Sequence, residues 1–214
     1  FRLLFRDSLF LLKSNPSKMS STTTIQYKDR VQLPLSFDAE KMLKEFNALK
    51  LDGFEYYNVI PLRSPAHLVD ATIPFPPPAE DYADGSWCDW LDTKELENSP
   101  YIKSIVAQFQ EHTKVTLVRL LRLAPSSVVK EHRDVTLGLE VEKSVIRLTI
   151  PILNKEQIEF YLNDTIVDMK PGECWYMRLT DPHRVINNGN TERVNLTIDM
   201  IPNDWVRNLI VDNQ

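Results

Sequence analysis

Hydrophobic residues recur along the chain with two different periods, and the change of period divides the chain into two parts. Between residues 38 and 49, apolar side chains follow a helical spacing after Asp38, a residue suited to capping a helix. A second helical spacing begins near Pro100. From Val115 onward apolar and polar residues alternate, as in strands that turn one face to a core. The strand-like segments are 31–35, 54–62, 115–123, 145–152, 158–162, 165–169, 174–179, 183–186 and 193–201.

A helical front part followed by a series of short strands predicts an α+β chain whose core is an antiparallel double sheet. Such a series favours a jelly-roll or cupin-like barrel, with the helices of the N-terminal half packed outside it. With 214 residues, the chain is long enough for one well-buried core and short for two domains. We therefore expect a single domain over 25–214, with its β core at about 115–201, preceded by an N-terminal extension at 1–24.

The N-terminal segment allows two interpretations. Residues 1–12 are apolar with two arginines and no Met before them, which would suit a targeting segment or an amphipathic helix. Asp7 and the lack of a small-residue cleavage site fit a signal peptide poorly. We expect instead an extension that stays disordered, and Met19 is a candidate initiator.

A proline-rich stretch separates the first strands from the second helix. Residues 64–86 contain five prolines and several acidic residues, which indicates a long exposed loop. Long loops in compact domains often act as lids or binding edges, so this segment is a candidate lid over a binding site.

Charge and cysteine content narrow the class of protein. A net charge of −5 disfavours a nucleic-acid partner, which normally requires a basic face. No apolar run approaches the length of a membrane span, so we expect no membrane partner. Cys88 and Cys174 lie far apart and indicate no disulfide framework, which suits a reduced, cytoplasmic setting.

Two histidines and an aspartate have the spacing of a metal site. In an extended segment His132 and Asp134 point to the same side, and His183 from a later strand could complete the set. Two imidazoles and one carboxylate on one side of a metal leave the opposite positions open, as in non-haem Fe(II) sites. The alternative is a solvated loop at 132–134 and a histidine at the end of a strand.

Arginines in the alternating strands are candidates for binding carboxylates, because the guanidinium fork matches a carboxylate through two hydrogen bonds. Arg193 follows His183 by ten residues, and Arg147, Arg119 and Arg122 occur in two other strands. A cavity that holds a dicarboxylate and an amino-acid substrate needs several such cations. From their strand positions, Arg119 and Arg122 are the candidates for the substrate carboxylate. The alternative is a half-exposed sheet whose polar face meets water.

Four motifs in order resemble one known family. They are Arg147–Ile152 (RLTIPI), Met169–Trp175 (MKPGECW), His183–Asn188 (HRVINN) and Arg193–Asp199 (RVNLTID). Over roughly 85–201 the chain resembles the aspartyl/asparaginyl β-hydroxylase family of Fe(II)- and 2-oxoglutarate-dependent dioxygenases. The resemblance implies a double-stranded β-helix, Fe(II) on His132, Asp134 and His183, Arg193 on the distal carboxylate of 2-oxoglutarate, and Arg147 near that co-substrate.

Two departures from the family's pattern bear on the substrate and the co-substrate. The aspartyl/asparaginyl β-hydroxylases proper lack the motif carboxylate, whereas Asp134 is present here, as in the family's free-proline hydroxylase branch. Thr149 stands where many members have a histidine, which affects the detail of co-substrate binding. The first departure favours a free amino acid over a folded protein domain.

The resemblance therefore predicts an Fe(II)/2-oxoglutarate-dependent hydroxylase that uses O₂, is supported by ascorbate, and acts on a free, possibly proline-like, amino acid or a short peptide. A small-molecule substrate is favoured over a protein partner. The alternatives are a protein-directed Asp, Asn or His hydroxylase and a non-catalytic cupin-like protein that binds a metal or a small molecule. The sequence indicates no oligomeric state.

Overall fold

Two antiparallel β-sheets form the centre of the computed structural model, which describes residues 27–79 and 82–214. The strands are β1 (Arg30–Ser36), β2 (Tyr57–Pro65), β3 (Trp90–Asp92), β4 (Val115–Leu123), β5 (Ser127–His132), β6 (Ile146–Leu153), β7 (Ile158–Leu162), β8 (Thr165–Ile166), β9 (Glu173–Met177), β10 (His183–Asn187) and β11 (Arg193–Met200). The helices are α1 (Ala39–Ala48), α2 (Ala66–Val69), α3 (Lys94–Glu97), α4 (Pro100–Gln110) and α5 (Asp204–Val211).

The two sheets differ in size and pack against each other. The larger sheet has the strand order β1-β9-β6-β11-β4-β2-β3, and the smaller has the order β5-β10-β7-β8. A cluster of buried apolar residues from both sheets, including Leu123, Phe160 and Val185, joins them. This arrangement confirms the predicted α+β chain with a jelly-roll core. The larger sheet also takes up β1, β2 and β3, so the β core is wider than the expected 115–201.

The main hydrophobic core lies between the larger sheet and the helices. Strand β11 is buried along its whole length. Its residues Val194, Leu196, Ile198 and Met200 are fully buried in this core, where α1 and α4 also place their apolar sides. The intervening residues of β11 are polar and point to the opposite face, toward the smaller sheet. The alternative of a half-exposed sheet does not hold for this strand.

The helices of the front part form where their capping residues and apolar spacing predict them. The Asp38 carboxylate accepts a hydrogen bond from the Lys41 amide at 3.0 Å and caps α1. Helix α4 starts with Pro100, whose missing N–H is no loss at the first helical position. Because α1 contacts β6 and α4 contacts β4, both helices lie on the outer face of the larger sheet, as expected.

Several elements differ from those predicted. Strand β5 lacks an alternating pattern because it is an edge strand with mostly exposed side chains. Helix α5 is not among the predicted elements because it is short. Its capping residue is Asn203, whose side chain accepts a hydrogen bond from the Val206 amide. Part of the expected loop at 64–86 is ordered, since β2 extends to Pro65 and continues into α2.

The expected extension at 1–24 lies outside the described residues. Over the ranges that are described, every helix is too short or too polar to cross a lipid bilayer.

Gly172 occupies a turn that no other residue can fill without strain. Its φ of +87° is in the left-handed region, and a Cβ there would clash with the carbonyl oxygen of Phe37. Its own carbonyl accepts the Phe37 amide at 2.8 Å, which ties the end of β1 to the turn before β9. We expect Gly172→Ala to lower the free energy of unfolding by about 2 kcal/mol or more.

Denaturant unfolding would measure this loss. Gly53→Ala is the matched control, because nothing lies within 4 Å of a Cβ at Gly53, and its effect should stay within about 0.5 kcal/mol. Equal effects of the two substitutions would contradict the strain at Gly172.

Candidate active site

Pairing of β5 with β10 brings the two histidines of the predicted metal site together. His132 at the end of β5 lies directly opposite His183 at the start of β10. Asp134 follows β5, and its amide donates to the carbonyl of Leu179 at 2.8 Å. One ligand atom from each of His132, Asp134 and His183 lies within 4.8 Å of the others. The structure therefore places these three side chains close enough together to bind one metal ion.

The orientation of both imidazoles suits metal binding. Nδ1 of His132 lies 2.8 Å from the Lys130 carbonyl oxygen, and Nδ1 of His183 lies 3.0 Å from that of Asp181. A carbonyl oxygen only accepts, so in the neutral form of each ring Nδ1 carries the proton and Nε2 keeps the lone pair that a metal would bind. Burial lowers the pKa of His183, which favours the neutral form that a metal needs.

The donor set fits a divalent iron ion. Two neutral nitrogens and one carboxylate oxygen come from one side, which is the composition of a facial triad with open positions. His183 is buried, Asp134 is half-buried and His132 is exposed, so the cluster lies between the protein interior and the surface.

An inner cavity of about 230 Å³ extends from this cluster between the sheets. Arg193 also lines this cavity; it is 6% exposed, and its Nε has no hydrogen-bond partner among the described residues. With the Asn195 amide turned so that its oxygen faces Arg193, that oxygen accepts from the guanidinium NH1 at 3.1 Å. No carboxylate of the described residues pairs with Arg193, and burial lowers its pKa to about 10. A buried cation without a counter-ion favours the binding of an anion.

Tyr57 lines the same cavity and was not found from the sequence. Tyr57 pairs with Leu123, which in turn pairs with Arg193, so the three side chains form a row across β2, β4 and β11. Alternation in 54–62 indicated a strand. It could not indicate that this strand adjoins β4, because that contact is distant in sequence.

Arg147 and Asp199 form a buried pair beside the metal cluster. Nε and NH2 of Arg147 donate to the two carboxylate oxygens of Asp199 at 2.7 and 2.8 Å, and NH1 donates to Oδ2 of Asp134 at 3.2 Å. Burial opposes the charge of Arg147, but Asp199 and then Asp134 outweigh it and raise its pKa. Arg147 lines the cavity as expected, and two of its five N–H groups remain for a ligand.

Arg119 lies at the junction of the inner cavity with a second, open cleft. The outer cleft has a volume of about 800 Å³, and it shares Arg119, Asp134 and Arg147 with the inner cavity. NH2 of Arg119 lies 3.4 Å from Oδ2 of Asp199, and the buried Nε of Arg119 has no hydrogen-bond partner in the part of the chain that the structure describes. Burial, and after it the charge of Arg147, lower the pKa of Arg119. Trp87 and Trp90 line the outer cleft.

The position of Arg122 corrects the prediction that it binds the substrate. Residues three apart on a strand point to opposite faces, so Arg122 and Arg119 cannot share a ligand. Arg122 points to the outer face, where it donates to Glu192 at 2.8 Å and lies over the ring of Phe54. The spacing of three residues between Arg119 and Arg122 already indicates that their side chains point to opposite faces of the strand.

The comparisons with known proteins place the chain in a family. Residues 86–202 match the profile described as Aspartyl/Asparaginyl beta-hydroxylase. The chain belongs to this family, which confirms the resemblance found in the sequence. The matched range contains all three candidate metal ligands and Arg193.

Two curated relatives are proline hydroxylases. L-proline cis-3-hydroxylase 2 of a Streptomyces species is 30% identical over 110 residues, which cover 50% of this chain and 37% of the relative. L-proline cis-3-hydroxylase 1 of a Streptomyces species is 27% identical over 109 residues, with the same coverage of 50% and 37%. The chain thus spans about 37% of the length of these relatives.

Solved structures show the same fold at low identity. An oxidoreductase of the 2OG-Fe(II) oxygenase family from Burkholderia pseudomallei has a TM-score of 0.50 at 14% identity, covering 81% of this chain and 84% of that one. The viral collagen prolyl hydroxylase of Paramecium Bursaria Chlorella virus-1 has a TM-score of 0.50 at 11% identity, covering 82% and 97%.

Removal of one imidazole should weaken metal binding. We expect His183→Ala to lose at least about tenfold in Co(II) affinity, since the site would keep two of its three ligands. Titration of the Co(II) absorption bands would measure the dissociation constant. His112→Ala is the matched control because His112 stacks on Trp205 outside the cluster. An unchanged Co(II) affinity in His183→Ala would contradict the assignment.

Proposed function

We propose that this chain is an Fe(II)- and 2-oxoglutarate-dependent hydroxylase of a free amino acid or a short peptide. One observation carries the proposal: Arg193, which is buried and has no carboxylate partner among residues 27–79 and 82–214, lines the same small cavity as His132, Asp134 and His183. Membership of the hydroxylase family and similarity to proline hydroxylases support it.

Fe(II), held by His132, Asp134 and His183, would supply the activation of O₂, with 2-oxoglutarate as the co-substrate and ascorbate as a supporting reductant. The protein's residues bring the reactants together. All three ligands line the inner cavity, so a metal held by them would be accessible from that cavity. Arg193, assisted by Asn195, binds the distal carboxylate of 2-oxoglutarate through a guanidinium fork.

The size of the inner cavity suits this co-substrate. Pockets for drug-sized ligands typically measure about 300–1,000 Å³, whereas this cavity measures about 230 Å³. The tyrosine hydroxyl of Tyr57 is a further candidate donor at the carboxylate. Phe160 forms part of the wall and lies against the guanidinium of Arg193. Phe160 and the other apolar side chains of the wall, Leu121, Leu123, Val129, Met177, Leu179 and Val185, limit the access of water to this part of the cavity.

The outer cleft is the proposed substrate site. Arg119 lines the cleft together with Asp134, its Nε has no hydrogen-bond partner among the described residues, and we assign it to the substrate carboxylate. Trp87 and Trp90 also line the cleft, and their rings are the candidates to contact the apolar part of the substrate. The substrate C–H bond is then held beside the metal, while the co-substrate is held behind it.

A peptide or protein substrate is the second candidate. The outer cleft is open and, at about 800 Å³, larger than a single proline requires. Such a cleft can accept a side chain presented by a longer chain.

Succinate release from 2-oxoglutarate, with Fe(II) and ascorbate under air, tests the proposal. We expect release that requires iron, is absent in His183→Ala and is stimulated by one member of a panel of free amino acids. Arg119→Met should lose the stimulation and keep the slow release without substrate.

The other outcomes separate the alternatives. Slow release that no free amino acid stimulates would favour a peptide or protein substrate. No release from folded protein that binds iron would exclude the enzyme and leave a metal-binding protein.

The role of Arg193 predicts a specific kinetic effect. Lysine keeps the charge but cannot form two parallel hydrogen bonds, so we expect Arg193→Lys to raise the KM for 2-oxoglutarate about tenfold or more. Steady-state kinetics of succinate release would measure it. Arg122→Lys is the matched control, because Arg122 is equally buried on the outer face. Equal KM values for Arg193→Lys and the unsubstituted protein would contradict the role.

A further inference from the structure

Asp199 is a buried carboxylate that touches neither the metal cluster nor the end of the inner cavity. It is 3% exposed and is the direct cross-strand partner of Arg147, since β11 pairs with β6 at this position. Both of its oxygens accept from Arg147, at 2.7 and 2.8 Å. A bidentate pair of this kind fixes the plane of the guanidinium as well as its position.

The fixed guanidinium points its remaining nitrogen at a candidate metal ligand. NH1 of Arg147 donates to Oδ2 of Asp134 at 3.2 Å. One oxygen of Asp134 is thereby engaged, and Oδ1 is left for a metal ion. The chain of contacts runs from Asp199 through Arg147 to Asp134.

Asp134 depends on this contact because its surroundings hold it weakly. It follows an edge strand, its side chain is 33% exposed, and its neighbours Arg133 and Val135 are exposed. Backbone hydrogen bonds to Leu179 and Leu137 fix its main chain. Within the described part of the protein, Arg147 is the residue that hydrogen-bonds its carboxylate.

We propose that Asp199 is a positioning residue for the metal site, acting through Arg147 to orient the carboxylate of Asp134. The proposal rests on the metal site of the proposed function. It differs from a purely structural role, in which the Asp199–Arg147 pair would only hold β11 to β6. Partners behind metal ligands commonly change metal affinity by about 10–100-fold when they are removed.

Co(II) binding without 2-oxoglutarate tests the positioning role, because any direct contact of Arg147 with the co-substrate is then excluded. We expect Asp199→Asn to weaken Co(II) binding by about 10–100-fold and to change the Co(II) absorption spectrum. Arg147→Gln should do the same. The double variant should be no weaker than Arg147→Gln alone, because both substitutions interrupt one chain of contacts.

Glu192→Gln is the matched control. It removes a carboxylate that pairs with a buried arginine on the opposite face of the same sheet, away from both cavities. It should lower thermal stability and leave the Co(II) dissociation constant unchanged. If Asp199→Asn does not fold, Asp199→Glu keeps the charge but displaces it, and should still weaken Co(II) binding.

The outcomes are distinguishable. Unchanged Co(II) affinity and spectrum in folded Asp199→Asn or Asp199→Glu would overturn the positioning role, whatever the loss of stability. Additive losses in the double variant would also overturn it. Failure of the unsubstituted protein to bind Co(II) would overturn the proposed metal site itself.

Discussion

The structure depends on one strand that is buried on both faces while one of its faces is polar. The apolar face of β11 packs into the main core beneath the helices. Its other face places Arg193, Asn195, Thr197 and Asp199 between the two sheets. Burying charged groups is costly unless each finds a partner. The arrangement of the site follows from how these partners are provided.

The charged residues at the two ends of that face, Asp199 and Arg193, differ in how their charges are balanced. Asp199 receives both hydrogen bonds from Arg147 and a longer contact from Arg119, so its charge is balanced within the protein. Arg193 has the amide of Asn195 and the ring of Phe160, and neither neutralises its charge. The charge at one end of the strand is therefore balanced within the protein, whereas no carboxylate of the described residues balances the charge at the other end.

Much of this site could be predicted from the sequence, because it depends on local patterns. His132 and Asp134 share a side by strand geometry, and alternation in β11 separates its polar face from its apolar one. The same rule separates Arg119 from Arg122, and applying it would have avoided the error. The pairing of Arg147 with Asp199 and the row from Tyr57 to Arg193 depend on strand register between distant segments. Periodicity within one strand does not contain that information.

The inner cavity and the outer cleft share Arg119, Asp134 and Arg147. If a substrate carboxylate binds Arg119 from the outer side, as proposed, it would change the electrostatic potential at the inner side, where Arg119 and Arg147 are largely buried. Thermodynamic linkage then requires that a ligand in the inner cavity change the affinity of the outer cleft by the same factor. The shared wall would therefore couple the two proposed sites, so that occupancy of one would change the binding energy available at the other.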